Sequence, residues 1–144
     1  MRLFTNQIDY LKVVLLSAIF ASFFFNWQTA VTDDYPTPGK FAIWENGLST
    51  FWGVISIILT IVILSLMFLI QHEEKIIDNI TYTYSGLNLL IVFLYFWGEV
   101  NNNRLHCYQK NYLGVGFYLF FVFSFIYFFL ILLQKHRQSK KSTK

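Results

Sequence analysis

The ionisable residues of this chain leave four long stretches without a formal charge: 13–32 between Lys12 and Asp33, 46–71 between Glu45 and His72, 79–98 between Asp78 and Glu99, and 111–134 between Lys110 and Lys135. A bilayer core of ~30 Å needs about 20 mostly apolar helical residues at a rise of 1.5 Å each, and every gap reaches that length. Helices are therefore predicted near 11–30, 49–71, 80–99 and 114–134. Transmembrane strands do not fit, because a barrel strand alternates apolar and polar residues, whereas Phe51–Ile70 is almost continuously apolar. The expected fold class is all-α: an integral membrane four-helix (tetraspan) up-down bundle, one domain over 1–136 followed by a basic disordered tail at 137–144. Composition agrees. Hydrophobic residues make up 56% and charged residues only 13%, against roughly 25% charged in soluble domains, which excludes an ordinary soluble domain and intrinsic disorder.

Tyr10 and Trp27 are expected to flank the first helix at headgroup level, Trp44 and Trp52 to open the second, and Tyr82 and Trp97 to bracket the third. The phenylalanines of the fourth, Phe117 to Phe129, read as lipid-facing bulk. With both termini inside, the cytoplasmic side carries eight Lys and Arg and the outside three, so the positive-inside rule favours N-in, C-in. That bias rests largely on Lys135, Arg137, Lys140, Lys141 and Lys144. Of these, Lys135, Arg137, Lys140 and Lys141 are candidate contacts for anionic lipid headgroups. The first apolar run is long for a signal peptide and lacks a small-residue cleavage site, which favours a retained anchor. The Ile, Phe, Asn and Lys bias suits an AT-rich bacterial genome, hence an expected bacterial cytoplasmic (inner) membrane.

Catalytic signals are sparse. The single cysteine, Cys107, cannot form an intramolecular disulfide or supply the pair that membrane disulfide-exchange enzymes need. His72-Glu73-Glu74 starts like a zinc-protease helix, but the second histidine position is Ile76. His72, His106 and His136 are scattered over both predicted sides, Asp33 and Asp34 offer too few oxygen ligands for calcium, and no phosphate-binding glycine loop exists. No metal and no cofactor is expected. The tail is too short and too poor in aromatics for nucleic acid.

The informative feature is a polar face. Thr81, Ser85, Asn88, Val92, Tyr95 and Glu99 recur at spacings of four and three, one side of a helix. Asn88 falls near the middle of its span, where an unpaired amide in hydrocarbon is costly, so this face must look into protein or water. The second helix carries a matching stripe of small residues, Ser49, Gly53, Ser56 and Thr60, and the two stripes are predicted to pack together. The first helix adds Ser17, Ala18, Ala21, Ser22 and Asn26. Ser49, Gly53, Ser56, Thr60, Ser85, Asn88, Tyr95 and Glu99 thus form an interior polar seam, or alternatively the lining of a pore with Glu99 at its outer mouth. No Asp, Glu, Lys, Arg or His lies mid-span, which argues against proton-coupled transport and voltage sensing.

Trp44 followed by Gly47-Leu48 in a first outer loop is similar to the start of the claudin-type tetraspan motif. That motif continues with Trp and a loop disulfide pair, whereas Ser49 follows Leu48 and both cysteines are missing. The resemblance is not carried further. Three functions then compete. The first is a non-enzymatic assembly or accessory subunit, a homo-oligomer or the companion of a larger membrane protein. The second is a homo-oligomeric pore or channel lined by the polar face of the third helix. The third is an enzyme acting from Glu99, Arg104, His106 and Cys107, which adjacency in sequence alone does not align.

Overall fold

A computed structural model of the chain describes residues 7–33, 40–69, 74–105 and 109–142. Four helices form a bundle: α1 (Gln7–Ser22), α2 (Phe51–Leu69), α3 (Glu74–Leu105) and α4 (Val115–Ser142). α1 packs on α4 and α2, and α3 packs on α2 and α4, so the chain goes round the bundle in sequence order. Contacts fix the antiparallel register of α3 and α4: Asp78 bonds Gln134, Tyr84 meets Tyr127, and Tyr95 meets Phe117. One end of the bundle carries the start of α4, the other its basic end; we term these the sheet end and the tail end.

The all-helical expectation is corrected by a three-stranded antiparallel sheet, in the order β2-β1-β3, built from β1 (Asn26–Asp33), β2 (Lys40–Asn46) and β3 (Gln109–Leu113). The first helix, expected to reach residue 30, stops at Ser22 for the same reason. Asn26 to Thr32 pair with Asn46 to Phe41 on one side, and Gln28 to Thr32 with Leu113 to Gln109 on the other. The carbonyls that a helix end leaves without partners are taken up locally. Ser22 Oγ donates to Ile19 O, the Trp27 indole N–H donates to Ser22 O at 3.0 Å, and the Gly47 N–H donates to Phe23 O at 3.0 Å.

Trp27 sits at the junction. Asn26 pairs with Asn46 and Gln28 with the adjacent Glu45, so Trp27 is the extra residue of a β-bulge. A bulge re-aims one side chain, and here it sends the indole into the bundle. From Lys12 to Phe23, α1 rises only ~17 Å, whereas α3 rises ~26 Å between Asp78 and Tyr95. Trp27 fills the missing height: it is fully buried, stacked on Phe23 at 5.3 Å and tilted against Phe120 at 4.8 Å, with Tyr95 and Phe117 edge-on. The expectation of Trp27 at a headgroup surface is thereby corrected. So is that of Phe117 and Phe120 as outward bulk, since these are buried while Phe121, Phe125 and Phe129 are exposed.

The remaining boundaries move in both directions, and α2 begins two residues later than expected, at Phe51. α3 and α4 overrun their predicted spans, and α4 continues through Ser142, so residues 137–142 are helical where a disordered tail was expected. The segment has no Gly or Pro, and its Lys, Arg and Gln are good helix formers. Ser49 belongs to a 3-10 turn, Gly47–Ser49, in which Asn46 Oδ1 accepts from the Ser49 N–H and hydroxyl. Three helical stretches are long and apolar enough to cross a membrane: Phe51–Leu69, Ile76–Glu99 and Val115–His136. The apolar part of α1, Tyr10–Ser22, is shorter.

Glycines make room for the indole. A Cβ on Gly47 would lie 2.7 Å from Trp27 Cε2, and one on Gly116 would lie 2.7 Å from Trp27 Cδ1, whereas one on Gly86 would meet nothing. We expect Gly47→Ala and Gly116→Ala each to destabilise the protein by about 1–3 kcal/mol through overpacking. Gly86→Ala, in the middle of α3, should stabilise by up to about 1 kcal/mol through helix propensity. Thermal unfolding of the three variants side by side checks the contrast.

Candidate functional site: a polar seam through the bundle

Ser56 and Thr60 lie one turn apart on α2, and Tyr84 and Asn88 one turn apart on α3. Because the helices run antiparallel, Ser56 meets Asn88 and Thr60 meets Tyr84. Ser56 Oγ donates to Asn88 Oδ1 at 2.6 Å, and the Thr60 and Tyr84 hydroxyls share a hydrogen bond of 2.7 Å. All four side chains are buried. Thr60 Oγ1 also donates to Ser56 O in the preceding turn, which ties the pair together within α2.

The predicted seam residues divide into three groups. Ser56, Thr60 and Asn88 come together directly. Tyr95 and Glu99 turn away from α2 to the sheet: the Tyr95 hydroxyl donates to Gln28 Oε1 and Gln28 Nε2 donates to Glu99 Oε2, both at 3.1 Å. Ser49 is exposed, and Gly53, which is buried, lies close against the Gly47 carbonyl and Thr50. Ser85 is buried and donates to Tyr82 O in its own helix. In α1, Ser22 is buried while Ser17 and Ala21 are exposed.

Sequence reasoning missed four participants. Gln28 was read as the end of a helix, Tyr84 falls between the positions of the chosen stripe, and Ser124 and Tyr127 stand among phenylalanines. Their signal was available, since Phe117, Phe120, Ser124, Tyr127 and Ile131 recur at spacings of three and four and are all buried. A second omission is the tail-end cluster. Lys12 is only 1% exposed and lies 3.2 Å from Asp78 Oδ1, which also accepts from Gln134 Nε2 at 3.0 Å. The cluster joins α1, α3 and α4 where an ammonium would otherwise be buried at high cost. Lys135, next to it in sequence, is exposed and places its ammonium 4.0 Å from the centre of the Tyr82 ring.

His72, His106 and Cys107 lie outside the described residues, as do Asp34, Pro36 and Pro38; the side chains of Phe41, Ile43, Trp44, Arg104, Arg137, Lys140 and Lys141 do too. Chemically, the described seam consists of hydroxyls and amides that cross-link helices. No family model matches the sequence, and no curated protein is detectably similar to it.

Three measurements follow from this geometry. A double-mutant cycle on Thr60→Val and Tyr84→Phe should give a coupling of about 0.6 kcal/mol, and no more than about 2, as for other interhelical hydrogen bonds in an apolar medium. Asn88→Leu should cost about 1–3 kcal/mol because it leaves the Ser56 hydroxyl buried without an acceptor across the interface, and adding Ser56→Ala should recover part of the loss. Lys12→Met should cost about 1–3 kcal/mol, because it removes the ammonium that lies 3.2 Å from the partly buried Asp78 carboxylate.

Proposed function

We propose that the chain is an integral membrane protein that acts non-enzymatically, as an assembly or accessory subunit for copies of itself or for a larger membrane protein. The observation that carries this reading is the pairing of the exterior with the interior. Phe51, Ile58, Phe93, Trp97, Phe125 and Leu133 are among many large apolar residues exposed along α2, α3 and α4. A soluble monomer rarely exposes contiguous apolar area beyond a few hundred Å². Ser56, Thr60, Tyr84 and Asn88 of the same helices, by contrast, bond to one another inside one chain.

In this reading α2, α3 and α4 cross the bilayer and α1 lies with them as a shorter fourth helix. The sheet stands on the outer side of a bacterial cytoplasmic membrane, and both termini lie in the cytoplasm. Lys135, Arg137, Lys140 and Lys141 then extend along α4 beyond the apolar stretch, where each contributes about 1 kcal/mol of attraction to anionic headgroups. The competing pore reading requires the polar face of α3 to line a lumen shared between subunits. Ser56 and Gln28 occupy Asn88 and Tyr95 within a single chain, which favours packing over conduction.

A tagged copy extracted gently from its own membrane and weighed by native mass spectrometry tests the proposal. We expect a discrete assembly, of this chain alone or with a stoichiometric second membrane protein. Recovery as a bare monomer would overturn it. Proteoliposomes of the purified protein should hold an imposed ion gradient, and a leak abolished by Asn88→Leu would favour the pore instead.

A further inference from the structure

We propose that the tail-end half of the α3–α4 interface holds a short file of bound water that reaches from Gln134 to Asn88 and ends blindly beneath the aromatic layer around Trp27. The inference goes beyond the assembly reading and needs only the bundle. Among the described residues, five buried side-chain polar atoms have no hydrogen-bond partner in good geometry: Asn26 Oδ1, Asn88 Nδ2, which has the Tyr84 hydroxyl nearby, Ser124 Oγ, Tyr127 OH and Gln134 Oε1. Four of the five lie along the α3–α4 interface, with the buried Ile131 standing between Tyr127 and Gln134 on the same face of α4. Ser124, Tyr127 and Gln134 lie on one face of α4, and the α3–α4 register puts Asn88 level with Ser124, one turn from the contact of Tyr84 with Tyr127.

Asn88, Ser124 and Tyr127 are each only 1% exposed, so bulk solvent does not reach them. Orphaned polar groups of this kind, buried away from water, cost several kcal/mol together, and their grouping along one line is not what scattered packing faults would give. Their chemistry is complementary to water. The Asn88 amide nitrogen offers donors, the Gln134 carbonyl accepts, and the two hydroxyls do both. A buried water typically makes about three hydrogen bonds, so a few molecules suffice for all four groups.

The column is polar at its tail end, where Gln134 shares Asp78 with Lys12. Toward the sheet end it meets Val92 and Phe120, which are 5% and 0% exposed, and then Phe117 and Trp27. This layer offers water nothing to bond and separates the column from the Tyr95–Gln28–Glu99 chain beyond it.

Hydroxyl-radical footprinting by X-ray radiolysis of the whole protein, in detergent or nanodiscs, reads bound water directly, because radicals form from the water in place. Tyr127 should be oxidised several-fold faster than Phe120, although neither ring is accessible from outside. Ser124→Ala combined with Asn88→Leu, which removes two of the anchors, should reduce Tyr127 oxidation several-fold. Phe120 serves as the folding control, since unfolding raises both rates. Equal slow oxidation of Tyr127 and Phe120 in the folded wild-type protein would overturn the water file, and equal fast oxidation would overturn its blind end. If the double variant unfolds, Tyr127→Phe repeats the test, with oxidation at position 127 expected to fall to the Phe120 rate and a rate unchanged from wild type counting against the file.

Discussion

The seat of Trp27 is the constraint on which the rest of this architecture depends. α1 is too short to match its neighbours, and without a bulky apolar group the sheet end of the bundle would hold a cavity beside Phe23, Phe117 and Phe120. A core void costs roughly in proportion to its volume, and losing a large aromatic costs about 3–5 kcal/mol. The bulge in β1 delivers the indole, Gly47 and Gly116 stand aside for it, and its N–H closes the last turn of α1. The same residue organises the strands, because the Trp27 carbonyl accepts from the Gly114 N–H at 2.7 Å just before α4 begins. One residue, through its side chain and its carbonyl, therefore links the end of α1, the departure of β1 from the bundle and the start of α4.

The two ends of the bundle are closed by different physics. At the tail end an ammonium, a carboxylate and an amide from three helices meet, with the Lys12 ammonium almost wholly buried against the partly exposed Asp78. At the sheet end the closure is aromatic and backbone-based, with the neutral Gln28 amide bridging Tyr95 and Glu99. A strand amide can do this because the β1 backbone is already held on both sides by β2 and β3. Between the two closures the α2–α3 interface relies on hydroxyl and amide contacts, individually weak, which select the register more than they add stability.

How far the sequence disclosed this can be judged residue by residue. The gaps between charges located α2, α3 and α4, because a long apolar run can be satisfied only by a helix. The spacing of Ser56, Thr60 and Asn88 foretold their meeting, because period and small size act locally. The end of α1 was illegible for the opposite reason: Asn26 to Thr32 is a strand only because β2 and β3, distant in sequence, pair with it. Charge gaps are blind to that difference, since a strand with neutral side chains and a helix look alike. Trp27 misled in the same way, because an interfacial Trp and a buried one differ only in what packs around them. Ser49 extended the small-residue stripe by period, yet it belongs to the 3-10 turn ahead of α2 and is exposed.

The distribution of polar contacts also restricts how such a bundle can associate. Interhelical association in an apolar medium draws on close packing and on hydrogen bonds, since burial against lipid-like surroundings gains little hydrophobic energy. The polar residues that would serve between chains, Ser56, Thr60, Tyr84 and Asn88, bond to one another within one chain and are buried. What the described helices offer outward is largely apolar: aliphatic residues with Phe51 and Phe68 on α2, the stacked Phe93 and Trp97 on α3, and Phe121, Phe125 and Phe129 on α4. Contacts through those faces can be close-fitting but carry little directional information. Among the described residues, backbone pairing, a bulge and a polar bridge hold a defined shape outside the apolar helices at the sheet end, which therefore carries directional contacts that the helix faces lack.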